Sequence, residues 1–206
     1  MFSGIVETQG RVLSVHRQGE LLLIEVERPK EFTDLSIGDS ICTSGVCLTI
    51  DRFTDQTMTF ALGAETLKIT GWSESSLKQA SVNLERSLRL GDRIHGHMVS
   101  GHVDASGQVV AVEDLGGSIR LDVKAPALFK SYVWKKGSWA VNGVSLTINE
   151  IKEGVVSHCL IPETLRRTNL GSIKVGDPVN LEIDMMARGF VAFLENRENE
   201  SQNGRV

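Results

Sequence analysis

The chain repeats itself at long range, and this limits what it can fold into more than any other feature. Met1-Phe2-Ser3-Gly4-Ile5-Val6-Glu7 returns as Met98-Val99-Ser100-Gly101-His102-Val103-Asp104, an offset of 97. Ser44-Gly45-Val46-Cys47-Leu48-Thr49-Ile50 is matched by Asn142-Gly143-Val144-Ser145-Leu146-Thr147-Ile148, and Glu65-Thr66-Leu67 by Glu163-Thr164-Leu165, both at offset 98. Val82-Asn83-Leu84-Glu85 recurs as Val179-Asn180-Leu181-Glu182 at offset 97. Solenoid and propeller repeats run to about 50 residues, so a period this long predicts a duplicated domain. In a chain of 206 residues each copy has about 100, enough to bury its own core. The expected units are residues 1–97, residues 98–184 and an appendage over 185–206.

Alternation within each copy predicts strands. In the first they run Gly10 to His16, Leu21 to Glu27, Ser40 to Thr43, Cys47 to Phe53 and Met58 to Leu62. In the second they run Gly107 to Val112, Ser118 to Lys124, Trp139 to Asn142, Ser145 to Ile151, Val155 to Leu160 and Pro178 to Ile183. Many short strands separated by Gly-rich turns point to an all-β closed barrel or sandwich in each half. Glu65 to Ile69 and Glu163 to Arg167 read as single helical turns, and Ala125 to Val133 as another short helix. Beyond Asp184 the repeat has no counterpart; Met186, Phe190, Phe193 and Arg197 fall at helical spacing and predict a C-terminal helix with an apolar stripe that needs covering, with a neighbouring subunit as the candidate. Asn199 to Val206 are polar enough to expect disorder.

Composition narrows the function. A net charge of −4 supplies no basic footprint, so nucleic acid is not an expected partner. With 41% hydrophobic and 23% charged residues and no apolar run near the roughly 20 residues of a membrane span, the expectation is a globular chain without a membrane partner. Met1 to Gly4 show no basic leader or signal-like stretch, from which a cytoplasmic location is expected. Cys42, Cys47 and Cys159 are odd in number and lack C-x-x-C spacing, which argues for free thiols.

The chemistry should lie where the copies agree in place and differ in kind. Gly4 and Gly101 would let a flat ligand approach the backbone, and Thr49, Thr66, Thr147, Thr164, Glu65 and Glu163 could hold a polyol; the same small residues could equally be barrel corners. His102 stands where the first copy has Ile5, which suits a general base or a hydrogen-bonded structural histidine. Cys47 stands opposite Ser145, a stronger nucleophile against a weaker one, unless Cys47 is simply core. Asp184 reads as an acid, an orienting carboxylate or a helix N-cap. His95, His97 and His102 are dense in sequence, but no recognised ligand spacing supports a metal site.

Taken together, Met1 to Glu7, Gly45 to Thr49, Gly96-His97-Met98-Val99-Ser100-Gly101-His102, Gly143 to Thr147 and Leu160-Ile161-Pro162-Glu163-Thr164-Leu165 resemble riboflavin synthase of the alpha-chain type. Five motifs in order across residues 1 to about 197 carry the resemblance. It implies two six-stranded Greek-key barrels and a C-terminal helix, in a homotrimer whose active site lies between the N-terminal barrel of one subunit and the C-terminal barrel of the next. It implies a dismutation of two 6,7-dimethyl-8-ribityllumazine molecules to riboflavin and 5-amino-6-(ribitylamino)uracil, needing no cofactor and no metal. It also admits association with lumazine synthase.

Carried over residue by residue, the resemblance places His102 and Cys47 at the N-terminal barrel's substrate, Ser145, Thr147 and Lys136 at the C-terminal one, and Asp184 as a further catalytic carboxylate. The substrate contacts it implies are Gly4, Ile5, Val6, Ser40, Leu48, Thr49, Ala61, Leu62, Gly63, Ala64, Glu65 and Thr66, then Gly101, Val103, Leu146, Cys159, Leu160, Ile161, Pro162, Glu163 and Thr164. Lys136 falls at a one-residue slip between copies, opposite Ile37 or Gly38. Lys78-Gln79-Ala80-Ser81 replaces the Gly-Asp turn that the second copy keeps as Gly176-Asp177, so that turn should be rebuilt. The competing readings are a non-catalytic lumazine- or flavin-binding antenna protein and a flavin reductase, the latter lacking its nucleotide-binding partner domain.

Overall fold

In the computed structural model, which describes residues 1–203, the first copy forms β1 (Thr8–Gln18), β2 (Leu21–Glu27), β3 (Ser40–Thr43), β4 (Val46–Phe53), β5 (Thr57–Leu62) and β6 (Ser81–Arg86). Two helices, α1 (Ala64–Thr70) and α2 (Glu74–Leu77), lie between β5 and β6. The six strands close a barrel in the order β1-β2-β5-β4-β3-β6, all neighbours antiparallel. Leu22, Ile24, Val26, Ile41, Ile50, Met58, Phe60 and Leu84 fill it. Period-2 alternation sends these residues inward, and their burial drives closure.

The second copy forms β7 (Ala105–Asp114), β8 (Ile119–Lys124), β9 (Ser138–Val141), β10 (Val144–Thr147), β11 (Glu150–Lys152), β12 (Val155–Leu160) and β13 (Pro178–Ile183), with α3 (Pro162–Arg167) after β12. Its sheet runs β10-β9-β13-β7-β8-β12-β11. The single strand expected over Ser145 to Ile151 is broken at Ile148-Asn149, so its two parts stand at opposite ends of the sheet. The break itself carries the ladder round: Ile148 N–H donates to Gly137 O and Asn149 N–H to Ser157 O, both at 2.9 Å. The first copy has a register shift in the same place, between Ile50 and Arg52.

Two hairpin turns lock the barrels together. Ser44-Gly45 and Asn142-Gly143 all have positive φ, the geometry of a tight two-residue hairpin. A Cβ on Gly45 would meet Gly143 N at 2.9 Å, and one on Gly143 would meet Gly45 N at 2.7 Å. The turns therefore pack tip to tip across a pseudo-two-fold axis. Around them Asn83 Nδ2 donates to Asn142 O at 2.9 Å and Asn180 Nδ2 donates to Ser44 O at 2.8 Å, the same bond made once from each copy.

The opening segment of each copy packs on the other barrel. Val6 belongs to the core of the C-terminal barrel, and Val103 packs against that of the N-terminal one. Ser145 N–H donates to Gly4 O, and Cys47 N–H donates to Gly101 O, both at 2.8 Å. Between the crossing segments Phe2 pairs with Val99 in an isolated bridge, fully buried with Cys42 and Ala140. Gly4 and Val6 thus pack on the second copy, while Ser3 stays bonded to Glu85 of the first.

The C-terminal helix α4 (Met185–Asn203) is longer than expected, since Asn199 to Asn203 continue it rather than forming a disordered tail; residues 204–206 lie outside the described residues. Asp184 caps it by accepting from Met186 N at 2.8 Å. Gln79 sits at φ 61 after α2, a rebuilt turn where the second copy keeps Gly176 at φ 96. No helix among the described residues is long and apolar enough to cross a membrane.

One pair of differences between the two cores introduces a titratable group. Ile41 and Phe60 of the first barrel are matched by Trp139 and His158 in the second, both almost fully buried. Trp139 Nε1 donates to His158 Nε2 at 2.9 Å, and His158 Nδ1 donates to Thr147 O at 2.9 Å. Burial pushes the imidazole pKa down from 6.5 to about 4. A neutral, buried histidine takes up its proton only on unfolding, so its stabilisation is present above pH 6.5 and lost as pH falls through 4, about 3 kcal/mol in all. Hydrogen exchange at pH 5 against pH 7 should therefore show faster opening of β8, β9 and β12 than of β2, β4 and β5. Equal responses from the two barrels would remove His158 as the cause.

Candidate active site

Crossing of the opening segments builds a pocket at Cys47 and a related site at Ser145, with different chemistry. The first, about 380 Å³, is walled by Val46, Cys47, Glu65, Thr66, Ile69, Thr70, Gly101, His102 and Val103. A Cβ on Gly101 would lie 2.6 Å from Cys47 Cβ, so only glycine lets the crossing segment close on β4. Buried Glu182 holds that segment from beneath, Oε1 accepting from Ser100 N at 2.6 Å and Ser100 Oγ at 2.7 Å, Oε2 from Gly101 N at 3.0 Å. His102 is exposed at the rim, and Cys47 is half-buried beside it.

The second site mirrors the first around Ser145. Gly4 lies as close to it as Gly101 does to Cys47, and Glu85 accepts from Ser3 N at 2.7 Å and Ser3 Oγ at 2.9 Å. The mirror is imperfect: Glu85 Oε2 is buried with no partner, and burial pushes this carboxyl up to about 7. The place taken by His102 is taken here by Ile5. An imidazole reaches this site from another direction, His97 Nδ1 lying 2.7 Å from Ser145 Oγ. Burial lowers the His97 pKa, opposed by the Asp184 charge, and its Nε2 is buried without a partner. Gly96 permits the approach, since a Cβ there would fall 2.1 Å from Ser3 O.

The three histidines that lie close in sequence are dispersed in space. His95 lines a polar cavity with Ser3, Ile5, Glu85 and Arg86, on the flank of the second site; His97 is on Ser145; His102 is in the first pocket. Among the described residues no three His, Cys, Asp or Glu side chains converge as a metal would need.

The first pocket thus brings together Cys47, Glu65, Thr66, Gly101, His102 and Val103 of the expected set and adds Val46, Ile69 and Thr70. Ser40 pairs with Thr49 on the adjoining strands, as Ser138 pairs with Thr147. Ala61, Gly63 and Ala64 follow on β5 and the start of α1. Leu48, Leu62, Leu146, Leu160 and Val6 are core residues, so contact from them falls to the backbone. Ile161 and Pro162 are exposed, as is Cys159, which leaves only Cys42 as a fully buried thiol. Glu163 is held by Arg166 at 2.7 Å and by Arg167, whereas Ile69 of the first pocket stands where Arg167 stands in the second. Lys136 matches Gly38: each amide donates to the equivalent carbonyl, Ile148 O or Ile50 O, and both have positive φ, 70 and 93.

His97 and Ser138 were absent from the expected site. Ser138 was open to inference, being the mirror of Ser40. His97 was not, because its pairing with Ser145 spans 48 residues and has no echo in the first copy.

Comparison with known proteins finds the same duplication. The lumazine binding domain model matches twice, at residues 3–87 and 100–184. The riboflavin synthase of Photobacterium leiognathi is 39% identical, over 98% of this chain and 93% of its own. That of Bacillus subtilis is 37% identical over 98% and 94%. Among solved structures, LumP complexed with riboflavin superposes with a TM-score of 0.82 at 22% identity, covering 89% of this chain and 99% of LumP, a likeness of fold.

Proposed function

The chain belongs to the riboflavin synthase family, and from that premise we propose that its two unlike pockets hold two molecules of 6,7-dimethyl-8-ribityllumazine and convert them to riboflavin and 5-amino-6-(ribitylamino)uracil. It is an enzyme, and the observation that carries the mechanism is the crossing of the opening segments. That crossing puts His102 beside Cys47 in one pocket and leaves Ser145 to His97 in the other. Identical substrates then meet different chemistry.

In the Ser145 site the lowered pKa keeps His97 neutral, so in the Nε2–H tautomer its Nδ1 accepts the hydroxyl proton while Ser145 Oγ adds to C7 of the donor lumazine. In the other pocket His102 removes a proton from the C7 methyl of the acceptor, and the electron pair delocalises into the acceptor's own ring before the carbanion attacks C6 of the donor. The acceptor's two methyl carbons form the new C–C bonds to C6 and C7 of the donor, and Ser145 Oγ leaves C7 and recovers its proton. The donor's C6–N5 and C7–N8 bonds break, so four carbons pass to the acceptor and the donor leaves as 5-amino-6-(ribitylamino)uracil. Orienting two rings face to face is worth up to roughly 7–11 kcal/mol in favourable cases.

An assembly that brings one subunit's N-terminal barrel to the next subunit's C-terminal barrel would complete that stack. The unpartnered stripe of α4 supports such a homotrimer: Met186, Phe190 and Phe193 are 72%, 65% and 56% exposed. Association with lumazine synthase rests on the family resemblance alone.

The test is incubation with the lumazine alone, in the presence of a metal chelator. Flavin absorbance should grow in at an undiminished rate. Binding without product would favour the antenna reading, and loss of activity restored by zinc would overturn the metal-free mechanism.

Lys136 gives a second expectation. A non-glycine residue in the left-handed region costs about 1 kcal/mol, and the first copy avoids that cost with Gly38. Lys136→Gly should keep or raise the melting temperature while lowering turnover at least about 10-fold, if the ammonium serves the substrate. Undiminished turnover would confine Lys136 to the turn.

A further inference from the structure

The two barrels differ at the end remote from the sites. In the first, Arg28 plugs the barrel end: Nε and Nη2 donate to Phe32 O at 2.9 and 2.6 Å, Nη1 donates to Thr54 O at 2.9 Å, and the guanidinium lies 5.2 Å from the centre of the Phe53 ring. Glu25-Val26-Glu27-Arg28-Pro29 aligns with Asp122-Val123-Lys124-Ala125-Pro126, so the second barrel has Ala125 where the plug should be. The space left is a cavity of about 420 Å³, walled by Ala125, Phe129, Val133, Ile151 and Val156.

Charge at the mouth is inverted as well. Lys124 replaces Glu27 and Lys130 replaces Thr33. Lys124 Nζ donates to Glu153 O, which holds it at the rim. Lys130 is also on the lining, and Glu153 is the one acid among the lining residues. Ala125 stands at the Lys124–Val155 end of the β8–β12 pair, whereas Ile161 to Thr164 follow the Ile119–Leu160 end, about 17 Å away at 3.3–3.4 Å per residue.

We propose that this cavity is a binding site for a small soluble organic anion with an apolar body, such as a medium-chain carboxylate, separate from the lumazine pockets. The apolar walls take the tail and the two ammonium groups take the head. A volume of this size falls in the range of small-molecule sites. Each further methylene buried should tighten binding about 4-fold until the cavity is filled.

Calorimetric titration of the full-length protein with decanoate, in saturating riboflavin, tests the site. One decanoate per chain is expected, with decanol and decylammonium binding at least about 10-fold more weakly. Ala125→Arg restores the first barrel's plug and should abolish binding while leaving riboflavin formation unchanged. Should that variant fold poorly, Lys124→Glu with Lys130→Glu alters only exposed side chains and should reverse the preference toward decylammonium. No binding, displacement of decanoate by riboflavin, equal affinity for the three probes, or undiminished binding by the double variant would each overturn the proposal.

Discussion

Replacing His102 by Gln is expected to lower turnover by about 10²–10⁴-fold, with substrate affinity changed far less. The side chain is exposed at the rim of the first pocket, so the substitution removes an acid–base group without opening the core. Its mirror change, Ile5→His, should not rescue the loss. Ile5 sits on the segment that crosses to the Ser145 site, so a histidine there would serve the wrong substrate. Cys47→Ser makes the first pocket resemble the second and should slow the reaction while preserving the fold. Steady-state and single-turnover flavin formation would measure each. Wild-type turnover from His102→Gln would end its role as the base, and undiminished turnover from Cys47→Ser would confine that thiol to packing.

A fragment of residues 1–97 should dimerise, bind lumazine and form almost no riboflavin. Alone it lacks Gly101, His102 and Val103, which complete the wall of its own pocket. It keeps Met1-Phe2-Ser3-Gly4-Ile5-Val6, which in the full chain occupies the same place on the other barrel. Two fragments can exchange these segments and restore both pockets with Ile5 in place of His102, around a true two-fold axis through Gly45. Sedimentation and ligand titration would read both properties. A monomer would show that the segment can fold back on its own barrel, and full activity would refute the two-site mechanism.

Much of this was legible in the sequence. Alternation located the strands except β6 (Ser81–Arg86), which only its match to Pro178–Ile183 could have shown, and the duplication fixed which positions correspond. It could not show onto which barrel each opening segment packs, because equivalence by repeat is the same whether Val6 enters the near core or the far one. That choice is made by tertiary bonds such as Ser145 N to Gly4 O. His97 escaped for a related reason. The break at Ile148-Asn149 was hidden because its residues alternate like the rest of the strand; only the bonds to Gly137 and Ser157 reveal it. Lys136 was placed to within one residue, and φ then settled the match on Gly38.

The crossing also imposes an order in time. Gly4 is made 141 residues before Ser145, its partner, so at a synthesis rate of roughly 5–20 residues per second the opening segment waits about 7–30 s for its seat. Meanwhile Cys47 offers a groove that this segment already nearly fits, since Met98 to Val103 will fill it with almost the same sequence. The emerging N-terminal barrel therefore faces a decoy built from its own first residues.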